Sequence, residues 1–180
     1  PHVLGDIIAI ADNQAILLTY FRNNILHAFV LPSLIAALVE HNGRISKADL
    51  LNVIRTLYPF LKAELFLKWK DAEINAQVTE YIDALAQANL IFIDDEDFIF
   101  CPAPNSEDHN QLAVLAAPVR QSLERYYMTL ALISQRGSGN ISIRQVEELS
   151  HLVGQRLSVL YEFNSPEFFD KALFQSFVKV

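Results

Sequence analysis

Asn89-Leu90-Ile91-Phe92-Ile93-Asp94-Asp95-Glu96-Asp97-Phe98-Ile99-Phe100-Cys101 carries the architecture. Two short runs of β-branched and aromatic residues flank four consecutive carboxylates, which reads as a two-stranded hairpin with a charged turn. Helices precede it. Ser46-Lys47-Ala48-Asp49 has capping-box form, and Leu50, Leu51, Ile54 and Leu57 follow at helical spacing. Pro59 is expected to open another short helix, from Phe60 to about Trp69. Asn75 caps a third, with Val78, Ile82, Leu85 and Ala86 inward, and Asn89 stops it. Helices followed by a hairpin is the order of a winged helix, so residues 32–101 are expected to form a winged-helix-like unit.

Working outward, Cys101 through Asn110 is rich in Pro, Asn and Ser and predicts a linker at 102–111. Pro118 is expected to open a helix lined by Val119, Leu123, Tyr127, Leu130 and Ile133, broken at Gly137-Ser138-Gly139. Ser142-Ile143-Arg144-Gln145 repeats the capping box before Val146, Leu149, Val153, Leu157 and Leu160. Ser165-Pro166-Glu167 is a further helix start, with an N-cap Ser and Pro at the first helical position. Laying Ile45-Ser46 over Ile141-Ser142 aligns the two halves, so residues 112–180 are expected to be a second, related helical unit that stops before its hairpin. The fold class is mainly α.

Residues 1–31 are expected to form an N-terminal helical segment. From Asn23 to Val39 no Asp, Glu, Lys or Arg occurs, but the run is short for a membrane span and polar at one end. The residue before Pro32 is biased away from the helical region, so two helices are expected to meet near Leu31 and Pro32, the second ending at Asn42-Gly43. Both read as core helices, because an interfacial helix would carry Lys and Arg on its polar face.

Composition narrows function by exclusion. Of 180 residues, 52% are hydrophobic, and 14 Lys plus Arg against 21 Asp plus Glu leave a net charge of −7. Such a chain buries a large core and is a poor phosphate binder. The third helix of the first unit carries Glu80 and Asp83 without Lys or Arg, and the hairpin turn is wholly acidic. DNA reading is therefore not expected, and no nucleic-acid partner is expected. Arg44, Lys47, Lys62, Lys68 and Lys70 interleave with Asp49, Glu64, Asp71 and Glu73, which reads as a solvated face. The five His, at 2, 27, 41, 109 and 151, have no metal spacing, and no cofactor is called for. Cys101, the single cysteine, reads as a half-buried inert thiol. His151 reads as a surface residue. The chain begins at Pro1 without a signal sequence, which suggests a piece of a longer protein.

One segment stands out. Tyr20-Phe21-Arg22-Asn23-Asn24-Ile25-Leu26-His27 places polar groups inside an apolar helix, where each costs about 1–3 kcal/mol if buried without a partner. Tyr20, Arg22, Asn23, Asn24 and His27 are the candidate site: a polar seam that docks the helix against another domain or a bound anion, or else a cap or a tie to a neighbouring loop.

That segment, with Leu31-Pro32-Ser33-Leu34-Ile35-Ala36, resembles the region following the catalytic domain in the large bacterial glycerol-3-phosphate acyltransferases. Gln155-Arg156-Leu157-Ser158-Val159-Leu160 and Ser165-Pro166-Glu167-Phe168-Phe169-Asp170-Lys171 are similar to the end of those proteins, and Leu123-Glu124-Arg125-Tyr126 to a weaker block. The resemblance implies a peripheral enzyme at the cytoplasmic face of the inner membrane. It would move an acyl group from acyl-CoA or acyl carrier protein to the 1-position of sn-glycerol 3-phosphate, in phospholipid synthesis. The family's His-x-x-x-x-Asp signature is absent: Asp6 follows His2 one residue too soon, and no other His has Asp at the fifth following position. No catalytic residue carries over. The resemblance thus implies a non-catalytic C-terminal region, whose partners are the catalytic domain of the same chain and, through the parent, the membrane surface. The competing reading is a free-standing winged-helix interaction module.

Overall fold

Helix α1 (Asp12–Asn42) runs unbroken through Pro32, where two helices were expected to meet. The computed structural model describes residues 12–65, 67–137 and 140–160. An interior Pro removes one helical hydrogen bond and costs about 3 kcal/mol. Val30, Leu31, Leu34 and Ile35 around it are fully buried, and each such side chain returns about 1.5–3 kcal/mol. Tertiary burial therefore overrides the local preference. The end was legible: Gly43 is left-handed at φ +67°, and its N–H donates to the Val39 carbonyl at 2.9 Å.

Strand β1 (Arg44–Ser46) leads into helix α2 (Lys47–Leu65). The Ser46 hydroxyl accepts from the Asp49 N–H at 3.0 Å, so the predicted cap is in place. Pro59 lies inside α2 rather than opening a new helix; buried Tyr58 and Leu61 on either side hold the rod together. A 3-10 turn at Asp71–Glu73 precedes helix α3 (Ile74–Gln87). Asn75 is already inside this helix. Its side-chain oxygen accepts from Arg55 Nε at 2.8 Å and caps nothing. Ile74, Val78, Ile82 and Leu85 face inward, and Asn89 stops the helix at φ +58°.

The hairpin is present as strands β2 (Phe92–Ile93) and β3 (Phe98–Phe100). The sheet has a third member that the sequence did not reveal: β1 pairs antiparallel with β3, Ile45 opposite Ile99, giving the order β1-β3-β2. Three residues are too few to display an alternating pattern. Of the four turn carboxylates, Asp94 builds the turn, accepting from the N–H groups of Glu96 at 3.0 Å and Phe98 at 2.8 Å. The Arg44 guanidinium stacks 3.7 Å above the Phe98 ring. The order α1-β1-α2-α3-β2-β3 is consistent with a winged-helix-like unit.

Helix α4 (Glu107–Arg136) begins eleven residues before Pro118 (118 − 107 = 11), the expected start. Ser106 caps it, accepting from the His109 N–H at 3.1 Å, with Glu107 and Asp108 in the first turn. Residues 107–111 of the expected linker are therefore helical. The helix stops at Gly137, φ +81°, as read. Helix α5 (Ile143–Leu160) follows behind a reciprocal box: Ser142 N–H donates to Gln145 Oε1 at 2.9 Å, and Gln145 N–H to Ser142 Oγ at 3.3 Å. The helix start at 165–167 lies outside the described residues. One buried cluster joins Leu34, Ile54, Val78 and Ile99 to Leu112, Ala116, Val119 and Tyr126 of α4, so α4 completes the core of the first unit.

Candidate functional site

Two polar features lie where α4 meets the first unit. The more buried is centred on Glu64, in the last turn of α2. Its Oε2 accepts from the Tyr126 hydroxyl at 2.7 Å and its Oε1 from the Ser122 hydroxyl at 3.0 Å. The Arg125 guanidinium closes an ion pair on Oε1, with side-chain exposures of 4% for Arg125 and 7% for Glu64. Helical spacing explains the set: Ser122, Arg125 and Tyr126 are three and four residues apart on one face of α4. Thr129 Oγ1 donates back to the Arg125 carbonyl at 2.9 Å, and the Phe60 and Tyr126 rings lie 6.1 Å apart.

This cluster is spent on packing. Burial first, then the Glu64 charge, pushes the Tyr126 hydroxyl far above its ordinary value, so it stays protonated and donates. The two Glu64 oxygens together accept from three side chains of α4, which ties the end of α2 to that helix. Removing one partner would strand a buried charge, at a cost of about 3–5 kcal/mol. Glu64 was read from sequence as part of a solvated face, and the structure corrects that. The available signal was its position three residues after Leu61, on the buried side of α2. The ion pair between Lys62 and Asp71, at 3.1 Å, is exposed, as that reading expected.

The second feature is a cleft of about 720 Å³ between α1 and α4, lined by Ala37, Leu38, Glu40, His41, Arg120, Leu123, Glu124 and Tyr127. Arg120 bridges to Glu40 at 2.6 Å, so an incoming anion would compete with a carboxylate already in place. Burial raises the Glu124 carboxyl, with Arg120 partly restoring it. Cys101 is half-buried, as read from sequence, its thiol pushed up by burial and then by Glu40. Among the described residues no group of three or more His, Cys, Asp or Glu could hold a metal ion.

Of the five seam residues, all lie on the first half of α1. His27 is exposed, so it does not form a buried tie within this region. The side chains of Tyr20, Arg22, Asn23 and Asn24 lie outside the described residues. His151 is half-buried. The segment Ile25–Asn42 has the length and composition of a membrane-crossing helix, yet Val30, Leu31, Leu34, Ile35, Ala36 and Val39 within it are fully buried in the protein core.

Fold and polar features together define a mainly helical unit whose most buried charges are consumed in joining its own helices. Over residues 1–180 the chain matches the family described as glycerol-3-phosphate acyltransferase C-terminal region, and it belongs to that family. It is 42% identical to the glycerol-3-phosphate acyltransferase of Pseudomonas aeruginosa PAO1, over 98% of this chain and 21% of that protein. The glycerol-3-phosphate acyltransferases of Pseudomonas fluorescens Pf0-1 and Ectopseudomonas mendocina are each 38% identical over the same shares. The chain thus spans about a fifth of the length of the curated relatives it matches. No solved structure matches it significantly.

Proposed function

We propose that this chain is the non-catalytic helical support of a glycerol-3-phosphate 1-O-acyltransferase. The parent transfers an acyl group from acyl-CoA or acyl carrier protein to glycerol 3-phosphate, peripherally at the cytoplasmic face of the inner membrane, in phospholipid synthesis. Acyl transfer to a hydroxyl needs an oriented base and donors for the developing oxyanion. The observation that carries the reading is the Glu64–Ser122–Arg125–Tyr126 cluster. Arg125 and Tyr126 belong to a block that resembles the family, and both are engaged by Glu64 in holding helices together. Tyr20, Arg22, Asn23, Asn24 and His27 share the first half of α1, the stretch of helix we assign to the junction with the catalytic domain.

The purified 180-residue chain should show no acylation of glycerol 3-phosphate by either donor, and measurable turnover would overturn the reading. In the intact enzyme, Arg22→Ala combined with Asn24→Ala should lower specific activity or soluble yield. Unchanged activity and thermal stability would remove those residues from the junction. In flotation with anionic liposomes, the isolated chain should stay in the soluble fraction, since residues 1–43 contain one basic Lys or Arg, Arg22.

A further inference from the structure

Helix α1 has one apolar face along its whole length, and the two halves of that face differ in what covers it. Leu17 and Ile35 are 35 − 17 = 18 residues apart, or five whole turns, and so are Leu18 and Ala36. Ile25 and Phe29 fall on the same face, eleven and seven residues before Ala36. In the second half, Ile35, Ala36 and Val39 are 0% exposed. In the first half, Leu17, Leu18, Ile25 and Phe29 are between 47% and 56% exposed. A helix face that is core at one end and solvated at the other is an interface interrupted. His27, nine residues from Leu18 and thus half a turn away around the helix, is exposed on the opposite side.

Resting on the reading proposed above, we infer that Leu17, Leu18, Ile25 and Phe29 seat the acyltransferase portion that precedes this region in the same polypeptide. Three observations favour that occupant. The chain corresponds to a C-terminal region and covers 21% of its relatives, so four-fifths of the parent remains to be placed beside it. The bare face is continuous with a face already buried in protein. A lipid surface is disfavoured because Arg22 is the one Lys or Arg in residues 1–43, whereas interfacial helices carry basic polar faces. Helix α1 is then a single rod shared by two cores, its second half in this unit and its first half in the other. Rigid continuity through Pro32 fixes the angle between them.

The test uses the intact acyltransferase with a photoreactive phenylalanine analogue at Leu17 or Ile25, and products mapped by mass spectrometry. Crosslinks to residues upstream of Pro1 are expected; crosslinks mainly to lipid, to a second copy, or to residues 161–180 overturn the inference. In parallel, Leu17→Asp with Ile25→Asp should cut acylation by the intact enzyme by about tenfold or more. The same pair in the isolated chain should leave its melting temperature unchanged, because those side chains are exposed there. Full activity in the intact variant, or a lowered melting temperature in the isolated chain, overturns it. An intact protein without acyltransferase activity whose crosslinks still run upstream would sink the functional reading and leave the surface standing. An active enzyme with crosslinks elsewhere would do the reverse.

Discussion

The turn after α1 and the turn after α4 are written alike and sealed differently. Each follows a long helix, holds a left-handed glycine (Gly43 at φ +67°, Gly137 at φ +81°), and leads to a Ser-capped helix. At the first, the chain is then clasped by the sheet. Gly43 offers its carbonyl to the Cys101 N–H at 2.9 Å, Lys47 N–H donates to the Asp97 carbonyl at 2.9 Å, and β1 pairs with β3. At the second, the bonds described are local: Asn140 N–H to Gly137, and Val146 N–H to Ser142. The same local code specifies a helix–turn–helix in both places, and long-range partners decide how firmly it is held. Beyond the apolar core that α4 shares with the first unit, the buried pair of Glu64 and Arg125 ties the two together.

The largest effect should come from cutting that fastening. Glu64→Ala should destabilise the chain by about 3–5 kcal/mol in urea unfolding, because it leaves Arg125 buried without its counter-charge. Glu64→Leu with Arg125→Met should recover most of the loss; if the double variant is as unstable as the single, the cluster is not a charge-pairing device.

The glycines come next. Gly137→Ala forces a side chain onto φ +81°, ψ 148°, with its Cβ 3.0 Å from Asn140 Nδ2, and should cost about 1–3 kcal/mol. Gly43→Ala meets nothing within 4 Å and should cost about 1 kcal/mol from backbone conformation alone. Equal losses in chemical denaturation would mean that the sheet adds strain at Gly43 that its open surroundings do not reveal.

The caps separate local code from context more finely. Ser46→Ala and Ser142→Ala should each cost about 1 kcal/mol. A much larger loss at Ser46 would show that the cap and the β1–β3 pairing stand or fall together.

The smallest effect is a pH dependence. Burial raises the Glu124 carboxyl above its ordinary value despite Arg120, so the folded state holds the proton more tightly than the unfolded chain. That contribution is full below the ordinary carboxylate value and is lost as pH rises through the raised one. Glu124→Gln should flatten a shallow decline in stability across that window. An unchanged pH profile would place Glu124 in water.

Much of this architecture was readable because its signals are local. Asn89, Gly43, Gly137 and the Ser142 box act through their own backbone neighbourhoods, and each stands where the residues put it. The misread prolines share one cause. Pro32, Pro59 and Pro118 each suggested a helix boundary and each lies inside a helix, because buried neighbours outweigh one lost hydrogen bond. Strand β1 and the role of Glu64 depend on partners 54 and 61 residues away, Ile99 from Ile45 and Arg125 from Glu64, and no window of sequence contains both members. Within the candidate seam, the sequence showed where polarity was concentrated on α1. It did not show that His27 would face solvent, which depends on what packs beside the helix.

The Glu64 cluster spans the connection between β3 and α4, with its acid on one side and its donors on the other. A protease nick in the short segment between Cys101 and Ser106 should therefore leave two fragments still gripping one another. Either piece expressed alone would present a stranded ion and a half-built interior, a poor substrate for folding and a good one for degradation.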